Sequence, residues 1–191
     1  MVRTRVGYAG GTTDNPTYYN LGDYTETLQI DYDPARVSYE DLLSVFWDSH
    51  NPVGMPWSRQ YMSIIFYHDD EQKRLAEETK AGEEFYLQRQ LYTEIVPASA
   101  FYLAEDYHQK YRLQGVPELF REFSAIYPEI EDFIASTAVA RVNGYIGGYG
   151  SEDFLEKHIG DLGLSQEGQE KLLEFISGVR GGLECPVPAS G

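Results

Sequence analysis

Four short stretches of strand character, set between helical segments that carry their own start signals, constrain this chain more than any other feature. Val2–Tyr8 reads as a strand ended by Gly10-Gly11, because paired glycines permit the positive φ that a turn needs. Thr12–Asp23 is a loop, marked by Asp14-Asn15-Pro16 and Gly22. Thr25–Tyr32 is the second strand, with Glu26, Leu28, Ile30 and Tyr32 on one face and Thr25, Thr27, Gln29 and Asp31 on the other. Glu26 therefore falls on the apolar face, where an unpaired charge is costly to bury. The competing reading is a strand-end carboxylate that bends out to water.

After the Asp33-Pro34 turn, Ser38 followed by Asp41 approximates a capping box and opens a helix to about Ser49. Leu42, Leu43, Phe46 and Trp47 form its apolar stripe. His50–Gln60 is a loop containing Trp57, and Tyr61–His68 is the third strand. Asp69 caps a charged helix to about Arg89, and Thr93–Val96 is the fourth strand, closed by Pro97. The segment Phe101–Tyr111, read as a helix from about Ala104, places Ala104, His108 and Tyr111 on one face. Helices are expected at about Glu118–Ala125, Glu129–Val142, Ser151–Ile159 and Ser165–Gly178, with Gly144 as the C′ residue of the second. Tyr145–Gly150 reads as a glycine-rich loop without the lysine of a phosphate cradle, and residues 181–191 as a flexible tail.

Bulk composition narrows the partners. With 15 Lys+Arg against 31 Asp+Glu, the formal charge is −16, which disfavours nucleic acid and anionic membranes. No apolar run approaches the ~20 residues of a membrane span, and no signal peptide is expected at the start. A single cysteine, Cys185, excludes an intrachain disulfide and a multi-cysteine metal site, and fits a reducing, cytoplasmic setting. Sixteen tyrosines suit a site that must be apolar yet offer hydroxyl donors.

Several of these residues suit one chemistry. A sulfoxide oxygen leaves sulfur only once protonated, so its reduction by a thiol needs a proton donor, hydroxyls to hold the oxygen, and a nucleophile. Glu26 on an apolar face, held neutral by burial, is the right kind of acid; Tyr18, Tyr61 and Tyr145 are the right kind of donors, and His108 and Tyr111 can complete the network. The matching segments are Val6-Gly-Tyr-Ala-Gly-Gly11, Asn15-Pro-Thr-Tyr18, Glu26 within Asp23-Tyr-Thr-Glu26, Ser58-Arg-Gln-Tyr61, Phe101–Tyr111 and Asn143-Gly-Tyr145. Together these resemble the peptide methionine sulfoxide reductase A family over about residues 2–111 and 143–147.

That resemblance implies an α+β fold: a two-layer sandwich with a mixed sheet built from the four strands, packed helices and a helical C-terminal addition. The division it suggests is a reductase-like core over 1–150, N-terminally incomplete and with a helical insertion at about 115–142, followed by a helical extension and cysteine-containing tail over 151–191. It implies thiol-dependent reduction of peptide or protein methionine (S)-sulfoxide, with Glu26, Tyr18, Tyr61 and Tyr145 catalytic and His108 and Tyr111 substrate-binding. No bound cofactor or metal is expected; the reductant would be thioredoxin or another dithiol, and the chain is expected to be a monomer.

Three departures stand out. The family's Gly-Cys-Phe-Trp-Gly motif, which carries the nucleophile before the strand matching Val2–Tyr8, does not occur in residues 1–191. Ile146 stands where many members carry a resolving cysteine after Gly-Tyr. Pro56-Trp57-Ser58 replaces a loop that in many members holds an aspartate. A non-catalytic remnant that keeps the oxidised-methionine pocket is therefore the alternative function, and a domain whose aromatics are only core is a third. Cys185 reads either as an incidental thiol or as a resolving thiol on the tail; Glu184 beside it discourages the thiolate a primary nucleophile needs.

Overall fold

The first three strands to pair are brought together by a register that the sequence only half discloses. A computed structural model describes residues 2–181. In it, β1 (Arg3–Ala9) pairs antiparallel with β2 (Thr25–Asp31), Tyr8 opposite Glu26 and Val6 opposite Leu28. On its other edge β1 pairs antiparallel with the two-residue β5 (Tyr102–Leu103), Tyr8 opposite Tyr102. Gly7 permits that approach: a Cβ there would stand 2.3 Å from the Tyr102 carbonyl oxygen. Gly10, at φ +80°, turns the chain out of β1 as expected.

β3 (Ile64–Tyr67) and β4 (Glu94–Pro97) form a separate parallel pair, joined through helix α2 (Asp70–Leu87) as a parallel crossover requires. The α+β class thus holds, with parallel and antiparallel pairing both present. The pairings are divided between two sheets, of strand order β2-β1-β5 and β3-β4, and no ladder joins β2 to β3 among the described residues. Helix α1 (Tyr39–Asp48) begins on the predicted capping box: Ser38 Oγ accepts from the Asp41 N–H, and the Asp41 carboxylate accepts from the Ser38 N–H. Asp69 likewise caps α2 through the Gln72 N–H. Leu43 and Trp47 of α1 pack with Ile65, Ala76 and Leu91, while Tyr8, Leu21, Tyr24 and Ala104 form a second cluster against the other sheet.

The chain divides into two compact units, residues 1–105 and 106–191. The second is helical: α3 (Tyr111–Gln114), α4 (Pro117–Ile126), α5 (Ile130–Ala135), α6 (Thr137–Ile146), α7 (Glu152–His158) and α8 (Gln166–Gly181). Its core is made by Leu113, Leu119, Phe123, Val139, Val142 and Leu172, all fully buried. The single helix expected over Glu129–Val142 is two, because Ser136 leaves helical geometry and its Oγ caps α6 at the Val139 N–H. Helix α6 then continues through Gly144 and Tyr145, so neither lies in a loop as expected; Gly147 ends it.

The largest local correction concerns Phe101–Tyr111. Tyr102 and Leu103 are taken into the sheet, Asp106–His108 is one 3-10 turn, and Lys110 is left-handed at φ 51°. Ala104, His108 and Tyr111 therefore do not share a helix face. Strand pairing with β1 overrides the local helical spacing. Among the described residues no helix is long and apolar enough to cross a membrane.

Candidate active site

The site is assembled in the first unit, where β2 begins. Thr25 is buried, and its hydroxyl donates to the Arg59 carbonyl at 2.9 Å. That bond ties β2 to the 3-10 turn Arg59–Tyr61, which replaces the expected start of the third strand. Arg59 anchors the turn from the other side through an ion pair with Glu94 at 2.7 Å. Held at both ends, the turn presents Gln60 and Tyr61 to Glu26. The Gln60 amide donates to Glu26 Oε1 at 2.7 Å and contacts the Tyr61 hydroxyl at 3.2 Å.

Tyr18 joins from the loop between β1 and β2. Asp23 fastens that loop, accepting from the Thr12 N–H at 2.8 Å, the Thr12 hydroxyl at 2.8 Å and the Thr13 hydroxyl at 3.1 Å. Those donors hold the Asp23 carboxyl well below the usual carboxylate range. Glu105 fixes the loop's middle, accepting from the Tyr18 N–H at 3.0 Å and from the buried Tyr8 hydroxyl at 2.6 Å. The Tyr18 phenol lies close enough to Tyr61 to perturb it. Desolvation, then the charge of Glu26 and the contact with Tyr18, pushes the Tyr61 phenol above its ordinary value. A phenol kept neutral in this way remains a hydrogen-bond donor.

Glu26, Tyr18 and Tyr61 are thus brought together. The expected burial of Glu26 is not found: its side chain is exposed. Leu21 and Tyr24 cover this sheet face over β1 and β5, and the cover stops short of β2, where Leu28 is exposed as well. The carboxylate that turns toward water at a strand end is the reading the structure supports.

The other predicted residues lie in the second unit. Tyr145 packs on the helical core from α6. Asn143, one of the residues of the resemblance, accepts through Oδ1 from the Leu113 N–H at 3.1 Å and so satisfies the otherwise unmatched start of α3. His108 packs against the Tyr107 ring, centroids 4.2 Å apart, and Tyr111 is exposed at the start of α3. Cys185 lies outside the described residues. Among the described residues no group of three or more His, Cys, Asp or Glu could hold a metal ion.

Two site residues escaped sequence reasoning. Gln60 sits beside the predicted Tyr61, yet nothing local marks its amide as the bridge to Glu26. Glu105 lies within the Phe101–Tyr111 segment, and a carboxylate directly after an apolar Tyr-Leu-Ala run was the available signal.

The sequence matches the family model described as peptide methionine sulfoxide reductase over residues 1–148. A second, described as the helical domain of selenoprotein methionine sulfoxide reductase A, matches residues 130–177. A peptide methionine sulfoxide reductase of Drosophila melanogaster is 39% identical over 188 residues, covering 97% of this chain and 75% of the fly protein. Peptide methionine sulfoxide reductase A5 of rice, Oryza sativa subsp. japonica, is 41% identical over 151 residues, covering 76% of this chain and 59% of its own length. The crystal structure of Mxr1 from Saccharomyces cerevisiae in reduced form superposes with a TM-score of 0.55 at 29% identity, covering 60% of this chain and 71% of that one. With the Tyr18, Glu26 and Tyr61 segments inside the matched region, the chain belongs to the peptide methionine sulfoxide reductase A family.

Proposed function

We propose that this chain serves the thiol-dependent reduction of peptide-bound methionine (S)-sulfoxide, a repair of oxidised protein. Glu26 is the proton donor to the sulfoxide oxygen, and Tyr18 and Tyr61 hydrogen-bond that oxygen. The observation supporting this reading is the cluster itself: a carboxyl and two phenols joined through Gln60 and the Tyr18–Tyr61 contact. Tyr145, His108 and Tyr111 keep the catalytic and substrate-binding roles that the resemblance implies for them. In the overall reaction two thiols and one sulfoxide yield thioether, disulfide and water; the sulfur gains the electron pair that the thiols lose, and the oxygen leaves with both protons.

The nucleophile is a thiol other than Cys185, and Cys185 is the resolving thiol through which thioredoxin or another dithiol restores the enzyme in a reducing compartment. Hydrogen bonds to the oxygen without an attacking thiolate do not break the sulfur–oxygen bond at a useful rate. Residues 1–191 alone are therefore expected to bind a methionine (S)-sulfoxide peptide with little turnover in dithiothreitol. Joined to a preceding segment that carries Gly-Cys-Phe-Trp-Gly, the chain should become a dithiothreitol-dependent reductase, suppressed by Glu26→Gln. In that longer protein Cys185→Ser should leave the first turnover and slow thioredoxin-dependent recycling. Multi-turnover activity of residues 1–191 that vanishes in Cys185→Ser would make Cys185 the nucleophile and overturn the assignment. Binding with no turnover even in the longer protein would leave a recognition module.

A further inference from the structure

Around the Glu26 cluster, aromatic rings are arranged in a way that proton donation does not use. Trp57 packs at a tilt against Tyr61, centroids 4.7 Å apart and planes at 30°, yet it is 81% exposed. On the other side Tyr19 meets Tyr18 edge to face at 5.4 Å and is 90% exposed. With Tyr18 close enough to Tyr61 to perturb it, the four rings follow one another in the order Tyr19–Tyr18–Tyr61–Trp57. The two inner members of this row are the proposed oxygen donors and its two outer members are open to solvent. Exposed large aromatics that adjoin one another mark a binding surface, because apolar area left in water is unfavourable. The row is flanked by negative charge: Glu26 lies beside it, and Arg59, the cation of the adjoining turn, is engaged with Glu94.

We propose that Trp57 and Tyr19 form two apolar subsites on either side of the oxygen-binding tyrosines. They receive the side chains that flank an oxidised methionine, so that the preferred substrate is methionine sulfoxide within an apolar peptide segment. Acidic flanks are disfavoured, since the carboxylate of Glu26 and the chain's formal charge of −16 repel them. An aromatic platform suits this role because it offers large contact area with little side-chain freedom to lose.

This inference rests on the function proposed above, and the test separates the two. Acetylated, amidated tripeptides X-Met(S-sulfoxide)-X with X = Leu, Gly or Asp are titrated into residues 1–191 by calorimetry. Acrylamide quenching of tryptophan fluorescence runs in parallel. The chain has two tryptophans, and Trp47 is 6% exposed, so protection from quencher reports on Trp57. The Leu-flanked peptide is expected to bind at least tenfold tighter than the Gly-flanked one, to shield Trp57, and to outbind the Asp-flanked peptide by more. Trp57→Ala should reduce the Leu-over-Gly preference to threefold or less, and Trp57→Phe should restore most of it. Equal affinity for Leu and Gly flanks, or a preference that survives Trp57→Ala, refutes the subsites while binding that remains sensitive to Glu26→Gln upholds the function. No discrimination between the sulfoxide peptides and their thioether forms refutes the function itself. Concentration-dependent self-association lost in Trp57→Ala would assign the row to a second copy of the chain and overturn the proposal.

Discussion

Glu105→Gln tests the support beneath the site. The carboxylate accepts two hydrogen bonds, from the Tyr8 hydroxyl at 2.6 Å and the Tyr18 N–H at 3.0 Å, and Tyr8 is 2% exposed. Glutamine has the same shape but no charge and one acceptor oxygen: with that oxygen kept on the Tyr18 N–H, its amide nitrogen donates to the Tyr8 hydroxyl, whose bond must reverse, so both charge-assisted bonds are lost. A hydrogen bond to a charged acceptor contributes about 1.5–3 kcal/mol and a neutral one about 1 kcal/mol, so losing the charge weakens each of the two bonds by about 1 kcal/mol. We expect Glu105→Gln to destabilise the first unit by about 2 kcal/mol, roughly a thirtyfold change in its folding equilibrium at about 1.4 kcal/mol per decade. Urea denaturation should show a lower midpoint at unchanged slope. Tyr8→Phe removes one of the two donors, so the double variant should be less destabilised than the sum of the singles, with a coupling of about 1 kcal/mol. Because the Tyr18 N–H hangs on the same carboxylate, peptide binding should weaken as well. A loss under about 0.5 kcal/mol, or strictly additive single variants, would show that Glu105 does not hold the loop.

Other outcomes follow from named residues. The lowered pKa of Asp23 means that its contribution is fully present above the unfolded value of about 4 and is lost as pH falls through the lower folded value, so the Thr12 and Thr13 amide resonances should stay constant from pH 7 to about 4 and move only below it. Asp23→Asn should remove that dependence; a transition at the ordinary aspartate pKa would contradict the reading. Glu26→Gln should bring the Tyr61 phenol down toward its ordinary pKa, read from its Cζ resonance, and an unchanged value would deny the coupling of the two groups. In the helical unit, Phe123→Ala empties a fully buried position and should cost about 3–5 kcal/mol, seen as loss of hydrogen-exchange protection in α4 and α8; a cost below about 1 kcal/mol would mean that the core collapses to fill the space.

What could be read from the chain was local. The Ser38/Asp41 box, the Asp69 cap, the turn at Gly10 and the alternation along Thr25–Asp31 each involve residues within a few positions of one another, and each is present. The grouping of Tyr18, Glu26 and Tyr61 was legible only through the resemblance, since no spacing relates a loop, a strand and a turn. Tertiary structure decided the rest. Ala104 reads as the start of a helix, yet its N–H donates to the Val6 carbonyl at 3.1 Å and continues the pairing of Tyr102 with Tyr8, far away in sequence, because the open edge of β1 offers backbone partners that a single helical turn cannot match. The alternation put Glu26 on the apolar face correctly, opposite buried Tyr8, but alternation says which side a residue takes and not whether another layer covers it. The loop carrying Leu21 and Tyr24 covers β1 and β5 and leaves β2 open, so the Glu26 carboxylate stands at the surface beside Gln60.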